Sequence, residues 1–141
     1  MRRKLLAMTF GLTLVFWLVP SWAEVVVVVS AENTNESMSR SELTDLFLGR
    51  GYQFPDGEPA VPIDQRERSQ AYPEFYAEYL GQTPAQVRAH WSRLIFTGRG
   101  RPPHSVPNGQ AMADAVADNP RAIGYLHPDH LDDRLRVVQI E

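Results

Sequence analysis

The pattern of apolar and polar positions along the chain predicts four β-strands. Residues 25–29 are five consecutive valines without alternation, which is typical of a strand covered on both faces. Residues 60–64, 122–126 and 135–140 are further short apolar runs bounded by proline, glycine or charged residues. The intervening segments are long enough to form helices.

Four of these segments carry helix start and stop signals. Ser39 and Glu42 have capping-box spacing, and the helix that they begin is expected to end at Gly49 or Gly51. Further helices are predicted from Ser69 or Gln70 to Leu80, after the cap residue Thr83, and from Asn108 or Gly109 up to Asn119. Strands that alternate with helices predict a three-layer α/β domain with a largely parallel sheet.

Residues 1–23 have the organisation of a cleavable signal peptide. A basic start precedes the apolar run 5–19, and Ser21-Trp22-Ala23 places small residues where a signal peptidase reads them. The alternative, a retained membrane anchor, requires a longer apolar segment and no cleavage motif. We expect cleavage after Ala23, which leaves residues 24–141 as one domain in the periplasm or outside the cell.

Charge and cysteine content narrow the classes of function. Residues 24–141 contain 11 arginines, no lysine and 17 acidic residues, so their net charge is −6. This balance argues against nucleic acid or an anionic membrane surface as a partner. The chain contains no cysteine, which excludes disulfides and thiolate chemistry. Because the negative net charge repels an anionic ligand, such a ligand has to be held by local donors.

Residues 65–71 form the candidate binding site. They connect the second strand to the second helix, and a helix N-terminus offers unpaired N–H groups and a partial positive charge to an anion. Arg66 and Arg68 add guanidinium groups that match carboxylate or phosphate oxygens, and Ser69 adds a hydroxyl. The alternative is that Ser69 only caps the helix while both arginines lie in solvent.

Three separated motifs resemble the periplasmic phosphate-binding protein of ABC transporters. They are residues 39–49 (SRSELTDLFLG), residues 60–75 and residues 119–126 (NPRAIGYL). They are similar to the family's L-x-x-I-F-x-G helix, R-x-D-x-S-G-T strand end and G-A-I-G-Y strand, in that order. Residues 91–98 also resemble short phosphate-transporter-like proteins of bacterial periplasms. The resemblance covers residues 39–140 and implies a single type II periplasmic-binding-protein-like lobe over residues 24–141.

The resemblance also implies a site and a ligand. The family's arginine, aspartate and serine fall on Gln65, Glu67 and Ser69, whereas its glycine and threonine fall on Gln70 and Ala71. It implies non-catalytic recognition of phosphate or a similar small oxyanion, with ABC transporter membrane subunits or another periplasmic protein as partners. The implied ligand-binding residues are Gln65, Arg66, Glu67, Arg68, Ser69, Gln70 and Ala71.

A second interpretation follows from the departures at Gln70 and Ala71 and from a length that suffices for one lobe. In it, the lobe has no ligand and is a periplasmic protein–protein interaction module that docks through residues 99–103 or through the exposed half-cleft.

Enzyme and metal chemistry have weak sequence support. Residues 127–133 (HPDHLDD) contain metal-type ligands, but a polar turn between two strands explains them equally well. The chain has no G-x-S-x-G turn. We expect neither catalysis nor a cofactor nor a metal.

Overall fold

A computed structural model of the chain describes residues 24–141. The predicted signal peptide lies outside these residues. Five strands form the central sheet, and two short strands, β2 (Ser37–Met38) and β7 (Gln139–Ile140), form a parallel pair beside it. The strands of the central sheet are β1 (Val26–Ser30), β3 (Val61–Gln65), β4 (His104–Val106), β5 (Ala122–Leu126) and β6 (Leu135–Val137).

The sheet has the strand order β4-β3-β5-β1-β6, and four of its five strands run in the same direction. Strand β3 is parallel to both β4 and β5. Strand β1 is antiparallel to both of its neighbours, β5 and β6. The prediction of a largely parallel α/β sheet is confirmed, with β1 as the one reversed strand of this sheet.

The helices begin at the predicted caps. Ser39 and Glu42 form the capping box of the first helix, and Thr83 and Gln86 form that of the third. The second helix changes to π-helical geometry over Tyr76–Leu80 and ends at Gly81, whose φ is 62°. The helices are α1 (Arg40–Phe47), α2 (Ala71–Phe75), α3 (Pro84–Phe96) and α4 (Gly109–Ala117).

The valines of β1 show how the three layers are held together. Val27 and Val29 pack into a core formed with α1, α2 and α3 on one face of the sheet. Val28 packs into a second core, with Met112 and Val116 of α4, on the other face. A strand buried on both faces needs apolar residues at every position, which explains the unbroken valine run.

The C-terminal segment differs from the sequence prediction of one strand over residues 135–140. The chain leaves the central sheet at Val138, whose N–H donates to the Val27 carbonyl at 2.9 Å. Gln139 and Ile140 then pair with Ser37 and Met38. The prediction of one continuous strand is wrong, because residues 135–137 pair with β1 whereas residues 139–140 pair with β2.

Candidate functional site

The candidate site lies where β3 and β4 end. Because these strands are parallel, their carboxyl ends meet at one edge of the sheet, which is where α/β folds commonly bind ligands. The N–H of Arg66 donates to the carbonyl of Val106 at 3.0 Å and extends the pairing by one step. Beyond this bond the chain turns away from the sheet and enters α2.

A cleft of about 400 Å³ opens at this edge. Its walls come from the turn after β3, from one side of α3 and from the loop before β4. They include Asp64, Arg66, Arg68, Tyr72, Trp91 and Pro103. Of the seven predicted site residues, Gln65, Arg66, Glu67 and Arg68 line the cleft, and Ser69, Gln70 and Ala71 lie outside its wall.

Two arginines, Arg66 and Arg68, and two carboxylates, Asp64 and Glu67, line the cleft. Arg66 and Arg68 are exposed, and within residues 24–141 neither has a carboxylate oxygen within 4.0 Å. Glu67 is paired with Arg88 of α3 at 2.8 Å, so its negative charge is offset. The cleft therefore presents two guanidinium groups in a chain whose overall charge is negative.

Backbone N–H groups of the turn remain available for hydrogen bonding. The Ser69 hydroxyl oxygen accepts the N–H of Tyr72 at 3.2 Å, and the Ser69 N–H donates to the carbonyl of Arg66 at 2.8 Å. Ser69 thus makes the capping contact of the alternative interpretation, one residue before the N-cap Gln70, while its own O–H can still donate. Among the described residues, no acceptor is found for the backbone N–H groups of Glu67, Arg68, Gln70 and Ala71.

Gln65 is held inside the sheet. It is 2% exposed, and its side-chain amide donates to the Tyr125 carbonyl at 2.8 Å. Its backbone N–H donates to Asp64 Oδ1 at 2.9 Å and to the Tyr125 hydroxyl oxygen at 3.2 Å. These bonds connect β3 to β5 beyond the last paired residues. Gln65 therefore contributes to the base of the cleft, and one of the two N–H donors of its side-chain amide is already used.

Asp64 is a charged residue of this site that the sequence did not single out. It is 7% exposed, borders the cleft, and accepts hydrogen bonds from the hydroxyls of Tyr76 (2.6 Å) and Tyr125. Burial raises the pKa of its carboxyl to about 6, because the loss of hydration outweighs the hydrogen bonds that favour the charged form. Burial and the nearby Asp64 also raise the pKa of both tyrosines.

A sequence signal for Asp64 did exist. It is a carboxylate at the end of a buried apolar strand, and such a group needs hydrogen-bond partners. Its partners, 12 and 61 positions along the chain, are brought to it by the packing of α2 and β5 on β3.

The histidines near the C-terminus lie in and beside a short turn, and one of them contacts a carboxylate of α2. His127 Nε2 lies 2.6 Å from Glu74 Oε2, and Pro128–His130 form a single 3₁₀ turn. Within residues 24–141 no group of three His, Asp or Glu residues is arranged to hold a metal ion. His104 begins the edge strand β4, which is not among the four strands that the apolar pattern predicts.

Comparison with known proteins shows similarity of fold without detectable similarity of sequence. No protein-family model and no curated protein sequence matches the chain. Among solved structures, PstS from Borrelia burgdorferi matches 84% of this chain, at 11% identity and a TM-score of 0.63. An ABC-type phosphate transport receptor from Vibrio cholerae matches 83% of the chain, at 14% identity and a TM-score of 0.55.

A third similar structure, from Clostridium perfringens, is assigned as a phosphate ABC transporter substrate-binding protein and contains bound phosphate. It matches 83% of this chain at 14% identity, with a TM-score of 0.59. This chain spans less than half the length of each of the three, from 44% to 47%. Among the described residues, no helix is long and apolar enough to cross a membrane. Residues 24–141 therefore have the α/β fold of a single periplasmic-binding-protein-like lobe, similar to part of the phosphate-binding components of ABC transporters.

Proposed function

We propose that the chain is a non-catalytic, extracytoplasmic solute-binding-like protein that recognises a small, phosphate-like oxyanion at residues 65–71. The observation that carries this proposal is the cleft at the carboxyl ends of β3 and β4. It holds two arginines without carboxylate partners among the described residues, next to backbone N–H groups without acceptors. The fold similarity to phosphate-binding proteins supports the same ligand class.

The proposed roles follow from position. Arg66 and Arg68 supply charge and fork-shaped donors, and Glu67 and Arg68, whose backbone N–H groups have no acceptor among the described residues, line the same wall. In the proposed site the N–H groups of Gln70 and Ala71 and the Ser69 hydroxyl extend this donor set toward the start of α2. Glu67, held by Arg88, orients the turn rather than the ligand.

The open side of the cleft limits affinity. Water competes for charge-assisted hydrogen bonds in an open cleft, because the local dielectric constant is high. Two-lobed binding proteins avoid this competition by closing both lobes around the ligand. We infer that a membrane subunit of an ABC transporter, or another periplasmic protein, completes the site when tight binding is needed.

Calorimetric titration of the purified protein with phosphate and sulfate at low salt tests the oxyanion site. We expect one saturable site that Arg66→Ala and Arg68→Ala each weaken by about 1–3 kcal/mol, the range for a hydrogen bond to a charged group. Ser69→Ala is expected to weaken it by the same range, because the proposed site uses the Ser69 hydroxyl as a donor, and an unchanged affinity would remove Ser69 from the site. Arg121→Ala is the matched control, since Arg121 is exposed and lies outside this cleft. Equal loss in the control, or no saturable heat at millimolar ligand, would contradict the oxyanion site.

The absence of saturable binding would favour the second candidate function, a ligand-free interaction module. The exposed side chains at the end of α3 favour this alternative, since Phe96 is 92% exposed.

The proposed location depends on removal of residues 1–23. We expect protein recovered from the periplasm of an expressing bacterium to begin at Glu24, because Ala23 ends the predicted cleavage motif. Intact mass spectrometry of the periplasmic and membrane fractions measures this directly. Full-length mass in the membrane fraction would indicate the retained anchor instead. An Ala23→Leu variant is the control, since a large residue at this position should block cleavage.

A further inference from the structure

The charges of the described chain are strongly segregated. Residues 79–113 contain four arginines and no aspartate or glutamate, whereas all 17 acidic residues lie elsewhere in the chain. The four arginines of this segment lie in α3 and in the loop that follows it, before β4 at one edge of the sheet. A partner that approaches α3 therefore meets positive charge on a protein that is otherwise acidic.

The end of α3 also exposes two large apolar side chains. Phe96 is 92% exposed and its neighbour Ile95 is 56% exposed. Single exposed apolar residues are ordinary, but an adjacent aromatic and aliphatic pair beside arginines has the composition of a protein-interface core. Within residues 24–141, nothing covers this pair.

Arginines and Ile95 line the surface around the end of α3. Two shallow grooves, of about 430 and 320 Å³, flank the end of α3, and both are lined by Arg99. Arg93 lines one groove and lies one turn before Phe96, while Ile95 and Arg101 line the other. We refer to Arg93, Ile95, Phe96, Arg99 and Arg101 as the α3 face.

Local structure fixes the geometry of this face. Gly98 has a φ of 68°, and its N–H donates to the carbonyl of Ile95, while the N–H of Arg99 donates to that of Leu94. This Schellman motif ends the helix and directs the chain back along the grooves. Arg93 and Arg99 lie near the C-terminus of α3, where their positive charge interacts favourably with the helix dipole. That interaction does not account for Arg101 or for the exposed side chain of Phe96.

We propose that the α3 face docks an acidic polypeptide segment in which carboxylates flank an aromatic or aliphatic side chain. Arg93, Arg99 and Arg101 have no carboxylate within 4.0 Å among the described residues, so they are available to a partner's acidic groups. The adjacent apolar pair supplies the buried centre that such a contact requires.

The charge distribution favours a polypeptide over an anionic membrane. Screening limits the reach of surface charges to about 8–10 Å at physiological salt, so a short acidic segment senses mainly the α3 face. An extended anionic surface also meets the strongly acidic remainder of the molecule. The docking does not rest on the oxyanion site, because it uses different side chains.

A short fluorescent peptide in which glutamate alternates with leucine is the probe, added to the purified protein in an anisotropy titration. We expect saturable binding whose affinity falls when the salt concentration is raised. The affinity should fall about tenfold or more in the double variant Arg99→Glu/Arg101→Glu, and several-fold in Phe96→Ala. Arg121→Glu is the matched charge control, because Arg121 is exposed and lies outside the α3 face. Tyr52→Ala is the matched apolar control, since Tyr52 is 71% exposed.

Several results would overturn the proposal. They are no binding by the unaltered protein, equal losses in the controls, tighter binding to phosphatidylglycerol vesicles than to the peptide, or self-association of the protein that Phe96→Ala abolishes. Circular dichroism of each variant separates loss of binding from loss of fold. Arg66→Ala, which removes part of the oxyanion site, should leave peptide affinity unchanged, so the two proposals fail independently.

Discussion

The stability of this protein should fall as the pH rises through about 6, and Asp64→Asn should remove most of that dependence. The folded protein binds a proton at Asp64 with a pKa of about 6, whereas the ordinary pKa of an aspartate is 3.8. Between these values the folded state holds more protons than the unfolded chain, so raising the pH lowers the free energy of unfolding. A pKa difference of this size corresponds to about 3 kcal/mol.

Urea unfolding at a series of pH values between 4 and 7.5 measures this effect. The informative quantity is the difference in unfolding free energy between the unaltered protein and Asp64→Asn, because contributions from all other groups cancel in it. We expect this difference to fall by about 2.5 kcal/mol across the series, slightly less than the full effect because pH 4 already lies above the ordinary aspartate pKa of 3.8. Asp118→Asn removes an exposed carboxylate at the end of α4 and serves as the control. Parallel profiles for the unaltered protein and Asp64→Asn would mean that the Asp64 pKa is not raised.

The Asp64 carboxylate also matters for the proposed ligand. It borders the same cleft as Arg66 and Arg68, so its ionisation above pH 6 opposes an anion that the two arginines attract. Tyr76 and Tyr125 hold it at the back of the cleft through their hydroxyls. The electrostatics of the site are therefore set by a buried group as well as by the exposed turn.

Local sequence signals predicted the elements whose determinants lie within a few residues. The capping pairs of α1 and α3 and the doubly buried valine strand are of this kind, and all are confirmed. They are readable because a cap or a buried strand restricts residue type at fixed short spacing.

Features that depend on residues distant in the sequence could not be predicted from local signals. Strand β4 has three residues and follows two prolines, and it is a strand because Ile63, Asp64 and Gln65 lie beside it. The reversal of β1 relative to β5 leaves no mark on the valine run itself. For the candidate site, the sequence located the turn and its arginines, whereas Asp64 and Trp91 entered the cleft only through tertiary packing.

The contact between Gly49 and Trp91 gives the last prediction, a strong loss of stability in Gly49→Ala. Gly49 has a φ of 74°, which costs an alanine about 1–2 kcal/mol. A Cβ atom at this position would also lie 2.8 Å from Cη2 of Trp91, whose ring is 7% exposed. Overpacking of a buried ring adds about 1–3 kcal/mol. We expect a total loss of about 2–5 kcal/mol in urea unfolding.

Gly98→Ala separates the two contributions. Gly49 and Gly98 hold the same position in the Schellman motifs that end α1 and α3, and both have positive φ. No atom lies within 4 Å of a Cβ built on Gly98, so this variant carries the backbone cost alone. Trp91 is the single tryptophan of residues 24–141, so its fluorescence should shift in Gly49→Ala and stay unchanged in Gly98→Ala. Equal destabilisation of both variants would show that the ring yields without cost, and that this wall of the cleft is less firmly packed than its burial implies.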